Sequence, residues 1–200
     1  MAQKGMLVVI SAPAGCGKDT IVEGLFNKAR ESPGLLDGGL CYSVSTTTRE
    51  IRDGETDGKH YFFTTHEKFC ELIKNDEFLE FTEYCDNYYG TRRKTVNAAL
   101  KKGENIILKI EIEGAKNVKA LFPNAVLIFI LPPSFEELRC RLENRQTETP
   151  ETIQKRLAKA KVELAHADKF DYNVINDDLQ TAIDEVFEIL MKERNKAACL

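Results

Sequence analysis

Two uninterrupted apolar runs, Met6-Leu7-Val8-Val9-Ile10 and Ala125-Val126-Leu127-Ile128-Phe129-Ile130, stand out from a chain that otherwise mixes apolar and polar positions. Runs of this length without alternation are expected of strands buried on both faces of a parallel sheet. Residues 105–112 read as a further central strand and Tyr172-Asn173-Val174-Ile175 as a last one. Leu40 to Ser45 forms a short strand, and His60-Tyr61-Phe62-Phe63 another. Phe78-Leu79-Glu80-Phe81-Thr82-Glu83-Tyr84 alternates apolar with polar, as a half-buried strand does.

Helical spacing fills the gaps. Thr20 to Phe26 opens the first helix, and Thr64-x-x-Glu67 is a capping box for a helix burying Phe69, Leu72 and Ile73. Asn87-Tyr88-Tyr89-Gly90-Thr91 reads as a turn, followed by a helix through Val96 and Leu100. Gly114 to Leu121 forms the next. Pro132-Pro133 stops the second apolar run, and Ser134-x-x-Glu137 caps the helix after it. Thr149 caps another with Pro150 at its first position. Leu179, Ile183, Val186, Phe187 and Leu190 stripe the final helix. Strand–helix alternation at both ends predicts a doubly wound parallel α/β sheet. The strand-rich stretch 46–95 is expected to form a small subdomain over the sheet's carboxyl edge.

Between the first strand and helix lies Ser11-Ala12-Pro13-Ala14-Gly15-Cys16-Gly17-Lys18-Asp19-Thr20. A β-branched run, a turn of small residues ending in Gly-Lys, and an amphipathic helix make a phosphate-binding loop of the P-loop type. Consecutive N–H groups curl around phosphate oxygens, the helix adds its positive N-terminal end, and Lys18 adds a full cation. The pattern departs from G-x-x-x-x-G-K-[ST] at both ends. Ala12 is tolerable if its φ stays negative. Asp19 replaces a neutral hydroxyl with a carboxylate that can itself coordinate Mg²⁺; Thr20 is the other candidate metal ligand.

Composition narrows the class. Two hundred residues fit one domain of ordinary size, and 42% apolar content suffices for a core. A net charge of −4 gives no basic footprint for a polynucleotide. The longest apolar runs fall short of the roughly 18 residues of a membrane span, and Met1 to Gly5 is too short for a targeting peptide. A cytoplasmic protein, monomer or homodimer, with neither nucleic-acid nor membrane partner, is the expectation. Six cysteines (16, 41, 70, 85, 140 and 199) show no metal-ligand or disulfide spacing. Cys16, inside the loop, is expected to feel nearby cations that lower a thiol pKa.

Arg49 and Arg52 lie three apart in a Ser/Thr/Gly-rich segment; Arg141, Arg145 and Arg156 lie in late basic helices. Guanidinium forks bind phosphate bidentately, so arginines converging on a phosphate loop suit transfer between two anionic substrates. Solvated helix faces with pairs such as Glu137–Arg141 are the competing explanation for the late group.

Ser43-Val44-Ser45-Thr46-Thr47-Thr48-Arg49-x-x-Arg52-x-Gly54-Glu55-x-x-Gly58-Lys59-x-Tyr61-x-Phe63 resembles the signature of the guanylate kinase family. Asn75 to Glu80, Asn87 to Thr91, Pro132-Pro133-Ser134, Arg141-Leu142-x-x-Arg145, Thr147-Glu148-Thr149 and Val174 to Asp178 also look like that family's segments. The resemblance therefore runs over nearly the whole chain. It implies a core of 1–45, 96–136 and 158–200, a GMP-binding subdomain of 46–95 and a helical lid of 137–157. By the same resemblance the ATP site comprises Ala12, Pro13, Ala14, Gly15, Cys16, Gly17, Lys18, Asp19 and Thr20. Arg49, Arg52, Tyr61 and Tyr89 are implied to hold the GMP phosphate. Ser45, Glu80 and Thr91 would read the guanine, and Glu111 would approach the base or the metal. Lys18, Arg49, Arg145 and Arg156 are the implied catalytic cations, with Mg²⁺ as cofactor.

The implied reaction carries the ATP γ-phosphoryl group to GMP, and to dGMP, with lid closure excluding water. A guanylate-kinase-like scaffold without chemistry, or a kinase for another nucleoside monophosphate, are the alternatives. Lys109, Glu113 and Gln146 depart from the family pattern. Lys109 with Asp19 is readable as a charge exchange between two strand–helix edges.

Overall fold

The computed structural model describes residues 5–84, 86–144 and 149–198. In chain order the first elements are β1 (Leu7–Ser11), α1 (Lys18–Glu31), β2 (Leu40–Tyr42), β3 (Thr46–Thr47) and β4 (Phe62–Phe63). Then come α2 (His66–Lys74), β5 (Phe78–Tyr84), β6 (Asn87–Arg92), α3 (Arg93–Lys101), β7 (Asn105–Lys109) and α4 (Ile112–Leu121). The chain continues through β8 (Val126–Leu131), α5 (Phe135–Glu143), α6 (Pro150–Leu164), β9 (Tyr172–Ile175) and α7 (Leu179–Ala198), with a 3₁₀ turn at Ala167–Lys169. Five strands form a sheet in the order β2-β7-β1-β8-β9, whose β2–β7 and β8–β9 pairs are parallel.

Backbone contacts divide the chain into two units, Met1–Val8 with Leu40–Ala125 and Val9–Gly39 with Val126–Leu200. In the first, β7 buries Ile106, Ile107 and Leu108, with α3 packed against it, and Val96 of α3 and Val118 of α4 are buried too. A second sheet, in the order β4-β3-β6-β5, carries the 46–95 stretch: β3 runs parallel to β4 and antiparallel to β6, and β5–β6 is a hairpin. Phe69 of α2 stacks on Phe78 of β5 with ring centroids 4.4 Å apart, anchoring that helix on the hairpin. In the second unit, β8 buries Ile128, Phe129 and Ile130, and α1 buries Ile21 and Leu25. On α7, Val186, Phe187 and Leu190 are buried. Full burial of β1 and β8 is why those strands show no alternation in sequence.

Four local expectations need correction. Segment 87–91 is not a turn but most of strand β6; its Tyr-Tyr and Thr side chains favour the extended state, and pairing with β5 from Tyr84↔Asn87 onward enforces it. The strand expected over 40–45 is shorter: β2 pairs with β7 only from Leu40 to Tyr42, and the next strand, β3, begins at Thr46 and pairs with β6. Strand β7 ends at Lys109 rather than 112, since Ile112 already opens α4. The α2 cap is Thr65, which accepts from the Lys68 N–H at 3.3 Å, one position later than the Thr64 box. The other caps stand where expected: Ser134 accepts from the Glu137 N–H at 3.0 Å, and Thr149 from Thr152 at 3.3 Å with Pro150 at N1.

Candidate functional site

The loop from Ser11 to Lys18 lies in the second unit. Its N–H groups turn over quickly: Cys16 donates to the Pro13 carbonyl at 3.3 Å, and Ile21 to Gly17 at 3.0 Å. Gly17, the N-cap of α1, adopts φ 78°, ψ 19°, a left-handed conformation that a side chain resists. A Cβ at Gly17 would also fall on the Asn176 amide nitrogen. That amide donates to the Cys16 carbonyl at 2.9 Å, fully buried, and the Asn176 main-chain carbonyl accepts from Arg141 Nη1 at 3.0 Å. Arg141 in turn pairs with Glu137 at 2.9 Å. The residue after β9 and a helix α5 arginine thus set the loop's back wall. Ala12 is absent from the positive-φ positions, so its methyl costs no backbone strain.

Lys18 opens α1 and is half-buried, while Asp19 and Thr20 are exposed in its first turn. Cys16 contradicts its expectation. It is wholly buried, and burial pushes its thiol up to about 12, outweighing the lowering by Arg141 and Lys18. Arg156 is half-buried on α6. Arg145 lies outside the described residues, as do Gln146, Thr147, Glu148, Cys85 and Cys199.

The predicted base-reading residues lie in the first unit. Glu80 of β5 is 5% exposed, and its Oε1 accepts from the Thr91 hydroxyl of β6 at 2.5 Å. Its Oε2 is buried with no hydrogen-bond partner among the described residues. Desolvation lifts the carboxyl from 4.5 to about 6, although the Thr91 hydrogen bonds pull it down. Alternation along β5 would ordinarily turn a polar residue outward; a bulge between Phe78 and Glu80 re-aims this one. Thr91, opposite Glu80 across the β5–β6 ladder, is buried, as is Ser45 just before β3, and half-buried Glu111 is the N-cap of α4.

Arg49 forms a second cluster. Its Nη2 donates to Glu55 Oε1 at 2.7 Å and its Nη1 to the Glu50 carbonyl at 2.6 Å. Its guanidinium lies 5.4 Å from the Tyr61 ring centroid and 5.7 Å from that of Phe63, within cation–π reach. Glu55 holds Arg49 above the usual guanidinium range, and Arg49 holds Glu55 below the usual carboxylate range. Tyr61 and Tyr89 meet edge-on at 6.0 Å. The backbone under them is pinned by Thr47, whose hydroxyl donates to the Tyr88 carbonyl and accepts from the Arg49 N–H. Arg52 is exposed, and its N–H donates to Glu55 Oε2 at 2.8 Å. Lys109 sits 5.6 Å from the Tyr42 ring.

Sequence reasoning assigned no role to Asn176, Glu55 or Gly114. The signals were present in each: an Asn just past a strand, an acid between two arginines, a glycine inside a helical run.

A phosphate-cradling turn between β1 and α1 of a largely parallel sheet defines a P-loop nucleotide-binding protein. The guanylate kinase family model matches residues 4–193, and the chain belongs to that family. It is 46% identical to the guanylate kinase of Carboxydothermus hydrogenoformans over 96% of this chain and 91% of that one. It is 45% identical to that of Desulfitobacterium hafniense over 95% and 91%. The crystal structure of guanylate kinase from Anaplasma phagocytophilum superposes with a TM-score of 0.76 at 31% identity, covering 97% of this chain and 88% of that one.

Proposed function

We propose that this chain transfers the γ-phosphoryl group of ATP to GMP, and to dGMP, giving ADP and the guanosine diphosphate, a step of purine nucleotide metabolism. An oxygen of the acceptor phosphate bonds to the γ-phosphorus as the bond from that phosphorus to the β–γ bridging oxygen breaks, and ADP leaves with the electron pair. The acceptor is already anionic, so no general base is needed. Positioning and charge neutralisation carry the rate. The curated relatives bearing the guanylate kinase name over nine-tenths of this chain support the reading.

The single observation that carries the choice of purine is Glu80. Guanine presents N1–H and N2–H₂ side by side, and adenine offers no such pair. A buried carboxylate with one oxygen tied to Thr91 and the other without a donor among the described residues matches the first base and is left unsatisfied by the second. Ser45 and Thr91 complete the base contacts, with Glu111 near the base or metal. Arg49, Arg52, Tyr61 and Tyr89 take the GMP phosphate. Arg49 has five donors, more than its contacts with Glu55 and Glu50 use.

ATP lies on the loop from Ala12 to Thr20, with Lys18, Arg49, Arg145 and Arg156 neutralising charge on the transferred group. The divalent metal of the reaction is Mg²⁺ in this proposal. Among the described residues no group of three or more His, Cys, Asp or Glu could hold a metal by itself. That fits an ion carried mainly by nucleotide phosphates and one hard oxygen ligand, for which exposed Asp19, or Thr20 beside it, is suited. When bound, the ion neutralises phosphate charge. The free thiols of Cys16, Cys41, Cys70 and Cys140 fit the reducing cytoplasm to which we assign the protein.

The test is a coupled assay with ATP and Mg²⁺ against GMP, dGMP, AMP, UMP and dTMP in parallel. Turnover confined to the guanine nucleotides is expected. Preference for AMP would refute the role of Glu80, and nucleotide binding without any turnover would favour a scaffold.

A further inference from the structure

Gly114 interrupts a run of good helix formers in the first turn of α4, and glycine is the poorest helix former after proline. Its φ lies outside the left-handed range, so backbone conformation does not require it. Space does. A Cβ built at Gly114 would stand 2.5 Å from Glu80 Oε2, 3.2 Å from Glu80 Cδ and 3.3 Å from Ile110 Cδ1. Gly114 is buried, and the nearest of these atoms is the carboxylate oxygen without a protein donor among the described residues.

We infer that Gly114 is a positioning residue for purine selection: its missing methyl is the space in which Glu80 holds Oε2. The inference rests on Glu80 being the guanine reader. The three atoms that would stand nearest such a methyl outside α4's own backbone all belong to the side chains of Glu80 and Ile110. A methyl at 114 is therefore accommodated by turning the Glu80 carboxylate rather than by moving α4 or β5. Oε1 is held by the Thr91 hydroxyl at 2.5 Å, so the displacement falls on Oε2, the oxygen left to accept from a base. Hydrogen bonds weaken steeply once their angle drops toward 120°, and two parallel bonds to one base edge tolerate little rotation. The fold survives the change while the reader is re-aimed.

The experiment is steady-state kinetics with GMP, AMP and ATP, together with thermal melting, on the wild type and four variants. These are Gly114→Ala, Glu80→Gln, Glu80→Asp and the double variant Glu80→Asp/Gly114→Ala. Gly114→Ala should leave the melting midpoint unchanged or raised and the KM for ATP within two-fold, while raising the KM for GMP at least ten-fold and narrowing the preference over AMP. Asp is one methylene shorter and withdraws from position 114. Adding Gly114→Ala to Glu80→Asp should therefore change the KM for GMP by less than two-fold.

An equal Gly114→Ala effect in both backgrounds would overturn the inference, as would a loss spread equally over ATP and GMP, which marks a packing role. Glu80→Gln reports separately on the underlying reading. If it loses guanine preference and Gly114→Ala does not, the inference alone fails; if Glu80→Gln keeps that preference, the reading and the inference fall together.

Discussion

Glu80 carries a desolvation cost in the folded protein that, under the proposed function, a guanine edge would offset. Raising its carboxyl from 4.5 to about 6 corresponds to about 2 kcal/mol against the ionised form. Since the folded pKa exceeds the unfolded one, the stabilising contribution is complete below pH 4.5 and is lost as pH rises through about 6. Melting curves should show the wild type losing stability relative to Glu80→Gln across that window. Base binding has the opposite sign, because only the carboxylate accepts from N1–H and N2–H₂. Guanosine is the cleaner probe, as a phosphate monoester titrates near pH 6 itself. Its affinity should fall as pH drops below about 6 in the wild type and stay flat in Glu80→Gln. A flat wild-type profile would contradict the assignment.

Cys16 shows how a residue's setting can reverse a reading made from its neighbours in sequence. Nearby cations in the loop are expected to lower its thiol pKa, yet the thiol is buried and burial pushes it up to about 12. Alkylation of the native protein followed by peptide mapping should modify exposed Cys140 and leave Cys16 unmodified. Burial of a side chain inside a loop of small residues has no sequence signature, which is why this was not legible.

At the scale of elements, the phosphate loop depends on a residue far along the chain. Asn176 occupies the volume a Gly17 side chain would need and satisfies the Cys16 carbonyl. Asn176→Ala leaves that carbonyl buried and unpaired, a loss of roughly 1–3 kcal/mol. The expected result is a KM for ATP raised about ten-fold with the KM for GMP little changed; equal effects on both would point to general destabilisation. Ser134→Ala should cost about 1 kcal/mol in urea unfolding through loss of the α5 cap.

Such caps were readable because their chemistry is local: Ser134 and Thr149-Pro150 behave as their spacing predicts. Thr64 is the expected α2 cap because Glu67 stands three residues on, whereas Thr65 caps the helix; Asn87-Tyr88-Tyr89-Gly90-Thr91 mixed turn formers with strand formers. For β6 the choice was made by the ladder with β5, which sequence spacing does not encode. In the candidate site, Glu80, Arg49 and the loop stand out in motif-like runs, whereas the contacts of Gly114 with Glu80 and of Asn176 with the loop appear only in the folded chain.

For the whole molecule, membership of the guanylate kinase family rests on a match from residue 4 to 193, and the proposed chemistry rests on the loop in the second unit and on the Glu80 and Arg49 clusters in the first. A loop with Lys18 at a helix start suits a phosphate chain. A buried carboxylate with a hydroxyl partner suits a purine edge. Among the described residues no helix is long and apolar enough to cross a membrane. The most direct test is phosphorus NMR of the protein with ATP, Mg²⁺ and an equal mixture of GMP and AMP. The account predicts GDP and ADP growing together in equal amounts while AMP resonances persist unchanged. Consumption of AMP at a comparable rate, or ATP hydrolysis to free phosphate without GDP, would contradict it.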